Sequence, residues 1–192
     1  MKYFDMIKEA MDTIDKSALE LAFEIQDRYE DEYCPSVFLG NGGSAAIANH
    51  IVADFTKGIS EDCANTTFPA ISLCSNAPLI TAIANDLGYE NIFSRQLEYL
   101  NLPKADVVGI SSSGNSPNII NGFYKANSKQ YNTIALVGFD GGRILKEKMA
   151  DVIIHVKSDN YGVVEDCHMM ILHAFAQKLR MKHADDPSRV KL

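Results

Sequence analysis

Five short apolar runs, separated by stretches of helical character, constrain this chain more than anything else in it. They are "VFLG" (37–40), "AISL" (70–73), "ADVVGIS" (105–111), "NTIALVG" (132–138) and "DVIIHV" (151–156). A strand with one wet face alternates apolar and polar residues. These runs are continuous, as in strands covered on both faces. Between them lie helical segments: Ser44–Lys57, "APLITAIAND" (77–86), "ENIFSRQLEYL" (90–100), "SPNIINGFYKANS" (116–128), a short one around "RILKEKMA" (143–150), and Val163–Met181. Strand and helix in alternation predict a parallel sheet between two helical layers. The expectation is therefore a three-layer α/β sandwich with a five-stranded parallel sheet. At 192 residues the chain is long enough for one such domain, 1–192, and too short for two.

Ahead of the first strand, Phe4, Ile7, Met11, Ile14, Ala18, Leu21 and Ile25 recur at spacings of three and four. This predicts a long N-terminal helix over residues 1–30 with one apolar stripe. The stripe serves either its own domain or another subunit. The net charge of −7, without a block of Lys and Arg, argues against a nucleic-acid partner. No apolar run approaches the roughly 20 residues that span a membrane. Cys34, Cys63, Cys74 and Cys167 are scattered, without a CxxC pair, which suits free thiols in a cytoplasmic protein.

Two loops carry the candidate ligand chemistry. "GNGGSA" (40–45), with Asn41, Gly42, Gly43 and Ser44, follows the first strand and loosely fits a dinucleotide fingerprint. That fold also wants an acid at the end of the second strand. Glu61 and Asp62 precede the strand instead, and no G-K-[ST] is present for a Walker loop. "SSSGNSPN" (111–118) follows the third strand and opens a helix. Ser111, Ser112, Ser113 and Ser116 offer hydroxyls around Gly114, and the helix N-terminus favours an anion. No Lys or Arg joins the loop, so it is read as a cradle for one phosphate monoester.

Two helical stretches hold the proton-transfer candidates. His50 and Asp54 are four apart and share a helix face. Taken alone, such a pair is either a surface hydrogen bond or two donors suited to zinc. Glu165, His168 and His173 lie along the last helix.

"GNGGSA" and "SSSGNS", with "LITAIANDLGYENIFSRQ" (79–96) between them, make the chain resemble the sugar isomerase (SIS) domain family, and within it the phosphoheptose isomerases. The resemblance runs nearly the whole length. It implies a homotetramer with active sites at subunit interfaces, acting on a phosphorylated sugar by aldose–ketose isomerisation. It also implies a divalent metal, zinc, held by His50, Asp54, Glu165 and His173. Asp54 would be the base and His173 the acid. Ser44, Ser111, Ser113 and Ser116 would hold the phosphate, with Asn85, Asp86 and also Glu165 as candidates for contact with the sugar. By helix rise Glu165 and His173 start about 12 Å apart, so both reach one metal only if their side chains converge.

The chain departs from the family pattern at several positions. Asp54 stands where glutamate is usual, and Glu165 where glutamine is usual. "TKGIS" (56–60) stands where a Gly-Arg pair contacts substrate, and Gly162 takes a place that is often acidic. Alternatives to a heptose isomerase are an isomerase of another sugar phosphate and a non-catalytic SIS-fold scaffold. A nucleotide-dependent oxidoreductase is disfavoured by the position of its acids.

Overall fold

The computed structural model describes residues 2–27, 34–61, 63 and 67–190. The end of the N-terminal helix near residue 30, and Asp62, lie outside them. Five strands form one sheet: β1 (Ser36–Gly40), β2 (Ala70–Ser72), β3 (Asp106–Ser111), β4 (Asn132–Val137) and β5 (Val152–His155). Their order is β2-β1-β3-β4-β5, and every pairing is parallel. All residues of β1 and β3 are buried, as their unbroken apolar character requires.

Side chains alternate across a strand, so each strand feeds two cores. Phe38, Val108, Ile110, Ile134 and Leu136 face one side. There they meet α2 (Lys16–Gln26), α3 (Gly43–Ala53) and α8 (Tyr161–His183), through Phe23, Ile47, Ile51 and Leu172 among others. Val37, Leu39, Val107, Ala135 and Val137 face the other side. That side is covered by α4 (Ala77–Leu87), α5 (Ile92–Leu100), α6 (Pro117–Ser128) and α7 (Gly142–Lys146). The three-layer sandwich is as expected.

The N-terminal region is helical but in two pieces, α1 (Lys2–Asp12) and α2. The break at Thr13–Asp15 has a local cause: the Asp15 carboxylate accepts from the Ser17 N–H (2.9 Å) and hydroxyl (2.7 Å), capping α2 afresh. Ile14 and Ile25 are buried, and Ile7, Met11 and Ala18 pack on the core, so most of the stripe serves its own domain. Phe4 and Leu21 stay exposed. Tyr3 ties α1 to α8 by donating its hydroxyl to Asp166 (2.7 Å).

The helix expected over Ser44–Lys57 changes its winding part-way. After Ala53 it becomes a π-helical turn, Asp54–Ile59, with Phe55 and Ile59 buried. Such turns are uncommon and recur at functional sites. No disulfide joins the four cysteines. Among the described residues no helix is long and apolar enough to cross a membrane.

Candidate active site

β1 and β3 are neighbours, yet the helices that follow them leave to opposite faces: α3 packs in the first core and α6 in the second. The crevice at such a switch point, beyond the carboxyl ends of the strands, is where open α/β sheets bind ligands. Both glycine- and serine-rich loops end there. Neither helix N-terminus is capped by a side chain: α3 starts after Gly42, and the Ser116 hydroxyl makes no capping bond to α6. Pro117 brings no N–H to α6 and the Ile119 N–H goes to Asn118 Oδ1 (3.0 Å), so α3 is the better placed of the two to present N–H groups to an anion. Ser44, Ser111 and Ser112 are buried, and the Ser111 hydroxyl lies 3.4 Å from that of Ser116. Ser113 Oγ accepts from the Asn115 N–H (3.2 Å). Gly114 turns the loop at φ +63, and a Cβ there would lie 2.1 Å from the Gly141 carbonyl oxygen.

Asn41, expected at the ligand site, has a structural task there. Its side-chain amide exchanges two hydrogen bonds with that of Asn118 (2.9 and 2.8 Å), and its Oδ1 also accepts from the Tyr89 hydroxyl (2.9 Å). It therefore fastens the two loops together across the switch point. Asn118, nearly fully buried, and Tyr89 were not singled out from sequence. Only a tertiary contact connects residues 41, 89 and 118.

The second cluster lies further along α3. His50 and Asp54 face His173 of α8: His50 Nε2 to Asp54 Oδ2 is 3.5 Å, His173 Nε2 to Asp54 Oδ2 is 3.3 Å, and the two Nε2 atoms are 3.1 Å apart. Among the described residues these three form the group able to hold a metal. A tetrahedral ion with bonds of about 2.0–2.1 Å sets its ligand atoms about 3.3–3.4 Å apart. The three measured edges bracket that value, and two imidazoles with one carboxylate suit zinc, so the residues present fit the group. The trio is partly exposed, on the wall of a cavity of ≈ 230 Å³ also lined by Gly58, Ala176, Gln177 and Arg180.

The SIS-domain family profile matches residues 2–138. The chain belongs to the SIS-domain family. Curated relatives include a phosphoheptose isomerase of Sulfurimonas denitrificans, 44% identical over 138 residues, which span 72% of this chain and 69% of that protein. A probable phosphoheptose isomerase of Thermoplasma acidophilum is 42% identical over 137 residues, 71% of this chain and 73% of its own. The solved phosphoheptose isomerase of Neisseria gonorrhoeae superposes with a TM-score of 0.79 at 29% identity, covering 93% of this chain and 92% of that one. That of Francisella tularensis shares the fold, with a TM-score of 0.84 at 24% identity and 94% and 93% covered. By this kinship the chain is an isomerase.

Within this SIS domain the remaining expected residues fall in different places. Glu165 does not join the trio. A Cβ built on Gly43 would lie 2.3 Å from a Glu165 carboxylate oxygen, so Glu165 packs over the first turn of α3. The reason is the eight-residue step along α8 to His173, about 12 Å. Contacts Gly43–Glu165 and His50–His173 also show α3 and α8 running side by side in the same direction. Asn85 donates to its neighbour Asp86 (2.8 Å) on the exposed last turn of α4. Gly58 lines the trio's cavity, whereas Ile59, in the segment that departs from the family's Gly-Arg pair, is buried in the core. His168 is fully buried, with neither ring nitrogen hydrogen-bonded, and burial lowers its pKa to about 4. The other two histidines are structural: His155 meets the Phe139 carbonyl (2.9 Å) and His183 pairs with Asp27.

Proposed function

We propose that this isomerase interconverts an aldose and a ketose phosphate, with sedoheptulose 7-phosphate and its heptose isomer as the leading pair. The observation that carries this reading is the His50–Asp54–His173 cluster, which α3, the π-helical turn after it and α8 bring together. Kinship with phosphoheptose isomerases supports the substrate class.

Ser44, Ser111, Ser113 and Ser116, with the first N–H groups of α3, would hold the phosphate. His50, Asp54 Oδ2 and His173 would hold a divalent cation, which when bound supplies positive charge where an enediolate develops. Both imidazole contacts go to Asp54 Oδ2, so we assign Oδ1 to proton transfer between C2 and C1. The Nε2 of His173 belongs to the trio, so we assign His173 to holding the cation, in place of the acid role that the resemblance implies.

The serine site and the trio are well separated on one chain: from Ser44 to His50 the rise is about 9 Å, and to Asp54 about 15 Å. The trio also opens outward. Both features support a homotetramer in which a second copy completes each site, with exposed Phe4 and Leu21 at subunit contacts. The shorter Asp54, the charge of Glu165 and the buried Ile59 favour testing other sugars beside the heptose. The experiment is a screen of C5 to C7 aldose and ketose phosphates with Zn²⁺ present. Conversion of one pair is the expected result, and conversion of none would remove the proposal.

A further inference from the structure

The trio's cavity has one wall that the reaction above does not use. On α8, His173, Ala176, Gln177 and Arg180 recur at spacings of three and four, so they share one helix face, and all line the ≈ 230 Å³ space with His50 and Asp54. Arg180 is the one permanent cation among the described residues on that lining. It starts about 10 Å from His173 along the axis. A side chain as long as arginine's can span most of that distance across the shared cavity. Lys57, on the facing π-helical turn, is exposed and does not line the cavity, and Ile59 of the same turn is buried.

We propose that Arg180 holds the two oxygens on C1 and C2 of the sugar and stabilises the negative charge that develops on them. This rests on the isomerase reading above. The chemistry that selects arginine is the pair of oxygens. In the aldose-to-ketose direction the C2 proton moves to Asp54 Oδ1, and the C–H electron pair becomes the C1=C2 bond. The C1=O π pair passes to O1, which takes the proton that O2 gives up. C2=O then forms while Asp54 returns its proton to C1. Atoms and charge balance without an added oxidant or reductant. Throughout, the growing charge is shared by two vicinal oxygens, and a planar guanidinium fork binds such a pair in bidentate fashion. A lysine ammonium presents a single point charge and would not replace it. Gln177, one turn away, lines the same cavity.

The test uses full-length protein and the variants Arg180→Gln and Arg180→Lys. Three quantities are read: kcat and KM on the sugar phosphate turned over by the wild type, Zn²⁺ binding by competition with a chromogenic chelator, and binding of inorganic phosphate. Removing a donor to developing negative charge typically costs about 10²-fold in kcat. Both variants should show that loss in kcat, with KM changed less, and with wild-type Zn²⁺ and phosphate binding. Wild-type kcat and KM in either variant would overturn the proposal. So would loss of Zn²⁺ binding in parallel with kcat, since Arg180 would then act through the trio's shape. A wild type that binds Zn²⁺ and phosphate yet turns over no sugar phosphate would instead overturn the isomerase reading, and this assignment with it.

Discussion

Acidification should weaken this fold through one residue, His168. The imidazole is fully buried on α8, between the turns that carry Glu165 and His173. Burial lowers its pKa from 6.5 to about 4, while the Val137 carbonyl, outside hydrogen-bond geometry, opposes the shift. Between those two values the unfolded chain binds a proton that the native chain refuses. Stability therefore falls as pH drops from 6.5 toward 4 and is insensitive to this group above that window. Integrating between the two pKa values gives a loss of about 2 kcal/mol at pH 5 and about 3 kcal/mol at pH 4, relative to pH 7. That is a large share of a typical domain's stability of about 5–15 kcal/mol. The assay is urea unfolding of chelator-treated wild type and His168→Leu at several pH values. Carboxylates common to both cancel in the difference, so the wild type should lose about 2 kcal/mol more than the variant between pH 7 and pH 5. Parallel pH profiles would refute the reasoning, because the buried ring would then titrate alike in both states.

Other perturbations address the site and the assembly. Asp54→Asn should lower turnover by about 10²- to 10⁴-fold by removing the proton carrier, and should weaken Zn²⁺ binding, while calorimetry still detects inorganic phosphate. Ser113→Ala should weaken binding of a sugar phosphate but not of the free sugar, and equal binding of both by the wild type would count against the serine cradle. Phe4→Glu with Leu21→Glu leaves the core untouched, since both side chains are exposed, and should shift a tetramer to smaller species in light scattering.

The fold was legible because its strands are continuous apolar runs, a pattern that a sheet covered on both faces produces and an exposed one does not. The positions of the two loops were legible because glycine and serine break strands and open helices, as they do after β1 and β3. The split between α1 and α2 was harder to see. The three-and-four spacing runs unbroken through Ile14, while the capping signal in "DKS" is a single side chain. The π-helical turn left no mark in the periodicity, for it shifts the hydrogen-bond partner by one residue without changing which residues are apolar. His50 and Asp54 could be paired by their spacing, but His173 joins them only because α3 and α8 run side by side. The same register carries Glu165 to Gly43, away from the metal trio it was expected to join. Asn118 and Tyr89 clasp Asn41 through contacts that no local pattern announces.

The central claim is that this chain moves a proton between C2 and C1 of a phosphorylated sugar at the His50–Asp54–His173 site. The direct measurement is proton NMR of sedoheptulose 7-phosphate, and then of the shorter sugar phosphates, incubated with the Zn²⁺-loaded protein in D₂O. The account predicts aldose–ketose conversion with deuterium entering at C1 or C2, abolished by Asp54→Asn. Persistent C1 and C2 signals with no conversion of any C5 to C7 phosphate, by protein that has bound Zn²⁺, would contradict it.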